Sequence, residues 1–215
     1  MLRFRNQPLR LPSLKRFLIG IYGDLHLLDN AIQDTRCDSY INLYRYVLVL
    51  EDRRYYSHKG IDYISFLRDF WRLVTLRRHG GFSTIEMQLV RTVTARYERT
   101  LSRKLYEILL AHLCNWHFSK RDMLLCYCSI AYYGARYPVQ HYGGLMPNCE
   151  AVAFNEFGKS LGELTEEDAA EIASYLVYPR PTHPTPLWLK KVDKRKRYAL
   201  KLAPSYKYLF EYIPI

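Results

Sequence analysis

The sequence lacks any apolar run long enough to cross a bilayer. The best candidate near its start, residues 17–22, is broken by glycine and ended by Asp24, far short of the roughly 20 apolar residues a spanning helix needs and weak even as a signal-peptide core. Neither a signal peptide nor a membrane anchor is therefore expected. Cysteine is scarce: five residues, an odd number with no C-x-x-C pair. The Cys126/Cys128 C-x-C has no second ligand pair at zinc spacing, so no disulfide framework or zinc site is expected, and Cys37, Cys114, Cys126, Cys128 and Cys149 read as buried free thiols. No segment alternates with the period of a strand, and no internal repeat is present. Zinc-finger and RNP-type signatures are also missing, and the basic residues are spread over several helices, so no nucleic-acid partner is expected. Acidic residues are the minority, 21 against 32 Lys and Arg, for a net charge of +11; that balance favours a polyanionic partner and does not choose between nucleic acid, anionic membrane and phosphorylated substrate.

What is present is a chain of 215 residues, enough for one domain with a sizeable core, reading as helices joined by short loops. Pro12-Ser13 opens the first helix, with Leu14, Phe17, Leu18, Ile21 and Leu25 as its apolar stripe. Asp38-Ser39 is placed as the cap of a second helix that runs to Glu51. Asp62 starts a third, Tyr63 to Arg77, whose apolar residues cover more than one face; it reads either as a core helix or, with its interleaved arginines, as a basic interfacial helix. After His79-Gly80-Gly81, Ser83 is the expected cap of a helix through Ile85, Leu89 and Val93, and the glycine pair before it makes a weak candidate anion site. Helices then follow over Leu101–Phe118, Lys120–Tyr133 after the cap Ser119, Glu150–Phe157 closed by Gly158, a segment capped by Thr165, and Leu187–Leu202; the Tyr178–Pro186 strip reads as extended. The composition also holds twenty tyrosines against nine phenylalanines, which suggests many half-wet aromatic positions.

The stretch Glu51-Asp52-Arg53-Arg54-Tyr55-Tyr56-Ser57-His58-Lys59-Gly60 organises the rest. An apolar helical run delivers two adjacent carboxylates into a polar turn closed by glycine. Burial against an apolar wall disfavours the charged form of a carboxylate, and neighbouring cations favour it, so Glu51 is a candidate general base.

Further motifs follow in order, and together they resemble the peptidoglycan glycosyltransferases of glycosyltransferase family 51, the polymerase module of class A penicillin-binding proteins and of monofunctional transglycosylases. The family's E-D-x-x-F-x-x-H-x-G is similar to Glu51–Gly60, with Tyr55 for the phenylalanine. G-G-S-T-I-T-Q-Q is similar to Gly81–Gln88, with Phe82, Glu86 and Met87 as departures. R-K-x-x-E matches Arg103–Glu107. K-x-x-I-L-E-x-Y-L-N followed by Y-F-G is similar to Lys120–Ser129 and Tyr132–Gly134, with Leu125 for an acidic residue and Ser129 for asparagine. R-R-x-x-V-L is loosely similar to Arg195–Leu200.

That resemblance implies an all-α, lysozyme-like fold with a larger lobe around Glu51 and Glu107 and a smaller, membrane-facing jaw lobe. Its implied boundaries are an N-terminal basic extension over residues 1–39, a glycosyltransferase domain over 40–203 with the jaw at about 61–80, and a C-terminal tail over 204–215. Implied too are lipid II and the growing lipid-linked glycan as substrates, with Glu51 taking a proton from the acceptor 4-hydroxyl and Glu107 as a second site carboxylate. Asp52, Tyr55, His58, Ser83, Thr84, Gln88, Arg91, Arg99, Arg103 and Lys104 are implied in substrate binding, the cations among them against the departing pyrophosphate. A divalent cation, Mg2+ or Mn2+, is an expected aid, although the sequence singles out no residue to hold it. The expected location is peripheral, at the outer face of the bacterial cytoplasmic membrane, with the membrane surface and a membrane-spanning or cell-wall synthesis protein as partners. Two other readings stay open on the residues: a lysozyme-like hydrolase, which needs a positioned water and no pyrophosphate clamp, and a non-catalytic binder of lipid-linked precursor.

Overall fold

In the computed structural model, residues 14–35, 41–74, 83–135 and 146–211 are described. They form an all-α structure in which the sole β feature among them is a single parallel bridge between Gly134 and Arg180. The helices are α1 (Leu14–Gln33), α2 (Ile41–Glu51), α3 (Tyr63–Val74), α4 (Ile85–Thr94), α5 (Leu101–His117), α6 (Lys120–Ile130), α7 (Asn148–Phe157), α8 (Glu166–Tyr175), α9 (Pro186–Leu202) and the short α10 (Tyr208–Glu211).

Helix α2 is the centre of the molecule. Leu43, Tyr44, Val47, Leu48 and Val49 are buried along it, more than one face, because α6, α8 and α9 all pack on it. Helix α8 can approach closely because its inward positions are Ala169, Ala170 and Ala173, all fully buried. Trimming a buried leucine such as Leu48 or Leu110 to alanine in such a core typically costs about 2–5 kcal/mol. A second packing group sets α4 against α5, α6 and α1, and this group carries the other half of the candidate site.

Local chemistry explains the helix boundaries. Thr165 accepts from Asp168 N–H while the Asp168 carboxylate accepts from the Thr165 N–H, a reciprocal capping box that starts α8. Ser119 and Thr185 cap α6 and α9 one-sidedly, each hydroxyl accepting from a backbone N–H of the first turn, with Pro186 as the first helical residue of α9. Asp62 accepts from the N–H groups of Ile64 and Ser65 to start α3. Gly158 is left-handed and ends α7.

Several expectations change. The cap of α4 is Thr84, whose hydroxyl accepts from Met87 N–H; Ser83 is left free for other work. Helix α6 stops at Ile130 and not at Tyr133, because Ala131 turns extended and Arg180 N–H donates to the Tyr133 carbonyl at 2.8 Å, pulling that strip into the bridge. Gly134 sits there with φ +155, where an added Cβ would lie 2.3 Å from the Arg180 carbonyl oxygen. The first half of the predicted α1 stripe does not face the core. Leu14, Phe17 and Leu18 are exposed, Ile21 and Leu25 are partly buried, and full burial begins only at Leu28 and Ala31. On α3, Tyr63, Ile64, Leu67 and Trp71 are exposed, which rules out the core reading for that face. The proposed Asp38-Ser39 cap, Cys37, the Gly80-Gly81 anion site and the end of the third helix beyond Val74 lie outside the described residues.

Cys114, Cys126, Cys128 and Cys149 are free and buried. Burial pushes the Cys114 thiol up to about 12 and the Cys126 thiol up to about 11, so both are packing groups with little thiolate character. Among the described residues no helix is long and apolar enough to cross a membrane.

Candidate active site

Glu51 is the last residue of α2, and its side chain is only 11% exposed. Two side chains hold its carboxylate. Arg195, on α9, reaches Oε1 at 2.7 Å, and the Gln88 amide, on α4, approaches Oε2 at 3.4 Å. Gln88 is itself fixed: Tyr127 donates its hydroxyl to the Gln88 carbonyl oxygen at 2.8 Å, which leaves the amide nitrogen facing Glu51. Burial first, and then the charge of Glu51, raise the Tyr127 phenol well above its usual value, so it stays a donor. Arg195 and Tyr127 lie in the fifth and fourth motifs, yet nothing in the sequence shows that they converge on Glu51.

Asp52, adjacent to Glu51, points the other way and is buried. Its oxygens lie 3.0 and 3.1 Å from His58 Nε2, and one also accepts from the first amide of α4, Ile85 N–H, a favourable carboxylate position at a helix N-terminus. Thr84 ties the same loop down by donating to the Gly60 carbonyl at 2.8 Å. Gly60 has φ +84, and a Cβ there would sit 2.5 Å from the Ala111 carbonyl oxygen of α5, so the final glycine of the first motif is required by the passage of another helix. Tyr55 is fully buried, with its hydroxyl donating to the Lys120 carbonyl. The structure thus places Asp52, Tyr55, His58 and Thr84 beneath the turn as its supports.

The second carboxylate, Glu107, is buried under three cations. Arg91 Nε lies 2.8 Å from Oε1, Arg103 forms an ion pair with the same oxygen, and Lys104 lies 3.3 Å from Oε2. Ser83, released from capping, sits between two of them and accepts from Lys104 at 3.0 Å and from Arg91 at 3.4 Å. Three cations share one carboxylate, so two positive charges are in excess on a partly open surface. Burial lowers the Lys104 pKa; Glu107 opposes that shift, and Arg91 and Arg103 add to it. Arg99 is exposed and joins no contact of this cluster.

Helix α4 joins the two halves. Gln88 faces Glu51, and Arg91, three residues or about one turn further on, faces Glu107. Thr84, one turn earlier, points into the loop below.

A third group holds Asp52, His58 and Glu86, three buried side chains whose ligand-capable atoms lie within 4.8 Å of one another. Part of this donor set is engaged by protein groups, while His58 Nδ1 and Glu86 Oε2 are buried with no hydrogen-bond partner among the described residues. Glu86 is ion-paired to Lys120 and accepts from Asn115 at 2.9 Å, while Asp52 is taken by His58 and Ile85. The ammonium of Lys120 already occupies the cation's role, lying also 4.3 Å from the Tyr55 ring centre. Glu86 and Met87, which depart from the family motif, are both fully buried. Glu86 faces Lys120 and Asn115, whereas Met87 lies against the cation cluster, its Sδ 3.3 Å from Lys104 Nζ.

Comparison with known proteins follows the same residues. The family described as Transglycosylase matches residues 38–203. Penicillin-binding protein 1A of Haemophilus influenzae is 30% identical over 207 residues, 94% of this chain and 22% of that protein. Penicillin-binding protein 2a of Streptococcus pneumoniae is 33% identical over 143 residues, 66% of this chain and 18% of that protein. The chain thus spans about a fifth of the length of these relatives. A match over most of the chain, an all-α, lysozyme-like fold, and a site in which residues of all five motifs meet around two carboxylates give one conclusion: the chain belongs to the transglycosylase family of peptidoglycan glycosyltransferases.

Proposed function

We propose that this chain polymerises lipid II into glycan strands, with Glu51 as general base and a lipid pyrophosphate as leaving group. The observation that carries the reading is the pairing along α4 of a semi-buried carboxylate on Gln88 with a cation-rich cluster on Arg91. A base and an anion site about one turn apart suit an inverting transfer. The acceptor 4-hydroxyl loses its proton to Glu51 as its oxygen bonds to the anomeric carbon, while the bond from that carbon to the pyrophosphate breaks. The excess positive charge of Arg91, Arg103 and Lys104 then meets the developing charge of the leaving group, where preorganised cations have their largest effect.

Glu107 in this reading is the counter-ion that holds three cations in one place. Mg2+ or Mn2+ would supply further neutralisation of the pyrophosphate. With Glu107 flanked by three side-chain cations, the reading has such an ion carried on the substrate's own phosphates. A hydrolase has no use for this cation excess, and Gln88, Arg91, Arg103 and Lys104 all keep their places around the two carboxylates, which favours turnover over mere binding.

The membrane belongs to the same proposal, because the substrate is lipid-linked. The exposed apolar residues of α3 and the basic N-terminus are the surfaces proposed to hold the chain peripherally at the outer face of the cytoplasmic membrane, alone or with a membrane-spanning cell-wall protein.

The test is incubation of purified protein with labelled lipid II, with and without Mg2+ or a chelator, and separation of glycan chains on a gel. Chain growth supports the reading; binding without growth points to a holding role, and shortening of preformed glycan to a hydrolase.

A further inference from the structure

We propose that the segment Pro204–Glu211, outside the region matched to the family, is a clamp that positions Glu51, and that Arg53 is the residue through which it acts. The proposal rests on Glu51 being the base.

Glu51 sits where α2 runs out of hydrogen-bond donors for its last carbonyls. Two arginines supply them. Arg53 Nε donates to the Val49 carbonyl at 2.9 Å, and Arg195 approaches the Leu50 carbonyl at 3.4 Å. Both also place positive charge at the negative end of the helix. Arg195 is in addition fixed by Glu51 itself. Among the described residues Arg53 has no carboxylate partner; its geometry comes from tyrosines.

Tyr198 of α9 accepts from Arg53 Nη2 at 2.8 Å, and the guanidinium lies 5.5 Å from the Tyr198 ring centre and 5.6 Å from that of Tyr206, within cation–π range. Tyr208 donates its hydroxyl to the carbonyl of Arg53 at 3.1 Å. The tail thus grips this one residue at side chain and backbone, two positions after the base. It is anchored for the purpose: Leu209 is fully buried, and both the 3-10 turn Ala203–Tyr206 and α10 pack on α2. An unattached tail would bury no leucine and place no tyrosine on the catalytic turn.

Arg53 is therefore a positioning residue, and the loss expected is in turnover, since a misplacement on the order of 1 Å can cost about a hundredfold. The test uses the full chain with Arg53→Lys, which keeps the charge and loses the planar fork, and Tyr208→Phe, which removes only the hydroxyl. Amide hydrogen exchange over residues 49–57, kcat and KM for lipid II, and Tm are measured for each. The expected result is faster exchange confined to that turn and a kcat lower by about tenfold or more for Arg53→Lys, with a smaller loss for Tyr208→Phe, KM unchanged, and Tm close to wild type. Unchanged exchange in both variants overturns the clamp. Faster exchange with unchanged kcat overturns its positioning role. A wild-type chain that does not polymerise lipid II overturns the function itself, a different outcome from an active wild type whose variants are equally active.

Discussion

The guanidinium of Arg195 lies 2.7 Å from Glu51 Oε1, an ion pair between residues 144 positions apart. It fixes the orientation of the proposed base before any acceptor arrives and satisfies one carboxylate oxygen, so in the proposed reaction the proton goes to the other, Oε2, whose sole approach among the described residues is the long contact from Gln88 at 3.4 Å. A longer hydrogen bond is the weaker one and the more easily exchanged for a substrate hydroxyl.

The first expected outcome follows from this geometry. Glu51→Gln keeps the side-chain shape and cannot accept the proton, so polymerisation should fall by about 10²–10⁴-fold, the usual contribution of general acid–base catalysis. Stability should change little, since the amide oxygen can still accept from Arg195. Turnover of labelled lipid II near the wild-type rate would falsify the assignment.

A second outcome concerns pH. Burial holds the Lys104 pKa below the 10.5 of an ordinary lysine, with Glu107 pulling it back up and Arg91 and Arg103 pushing it further down. Between the lowered folded value and the unfolded one, the unfolded chain binds more protons. The contribution of Lys104 to stability is constant below that window and rises with pH across it. Activity should move the opposite way, because a neutral amine no longer offsets the pyrophosphate charge. Lys104→Arg, which stays charged throughout, should therefore remove this alkaline limb from the rate profile. An identical limb in wild type and variant would remove Lys104 from the clamp.

The sequence showed the helices wherever a cap and an apolar period coincided, as at Ser119 and Thr165, and it showed the chemistry wherever a motif was contiguous. It named Ser83 as the cap of α4 where the cap is Thr84, since both hydroxyls precede the helix. The choice is made by a distant partner: Thr84 is held by the Gly60 carbonyl, and Ser83 turns to Lys104 and Arg91. Lys104 and Glu107, three residues apart, share a face of α5. The burial of Glu107 under a third cation from α4 has no local signature. The surroundings of Arg53 have no local signature, because its tyrosine partners lie at positions 198, 206 and 208. The α1 stripe misled for a physical reason too: an apolar period states that a face avoids water, not which apolar surface will cover it.

The third outcome tests Glu86, a fully buried carboxylate where the family motif has threonine. Its ion pair with Lys120 is supported by Asn115. Glu86→Thr alone leaves a largely buried ammonium without its counter-ion, and removing one member of such a pair typically costs about 3–5 kcal/mol. Adding Lys120→Met should recover most of that loss, because replacing both charges removes the desolvation problem. Chemical denaturation of the single and double variants reads the difference. Equal stability of the two would mean that Lys120 finds water or another partner. Where the single variant remains folded, turnover should persist, because Glu86 does not reach the groove.

The last outcome concerns how the chain meets a lipid-linked substrate. On α3 the exposed Tyr63, Ile64, Leu67 and Trp71 share the helix with Arg68, and the N-terminal stretch before α1 carries Arg3, Arg5 and Arg10. Each cation near an anionic bilayer is worth about 1 kcal/mol, falling with salt, while each buried apolar side chain contributes about 1.5–3 kcal/mol when fully removed from water. Electrostatic and apolar parts of this size give reversible attachment without a spanning helix. The purified chain should co-sediment with vesicles containing anionic lipid and be partly released by salt. Leu67→Ser with Trp71→Ser should lower binding at every salt concentration, because it removes only the apolar part. With the fold intact, unchanged vesicle binding by the double variant would move the contact to another surface, and the exposed half of α1, with Leu14, Leu18, Ile19 and Tyr22 beside Lys15 and Arg16, is the next to substitute. No binding by the wild type at low salt would assign membrane attachment to a partner protein.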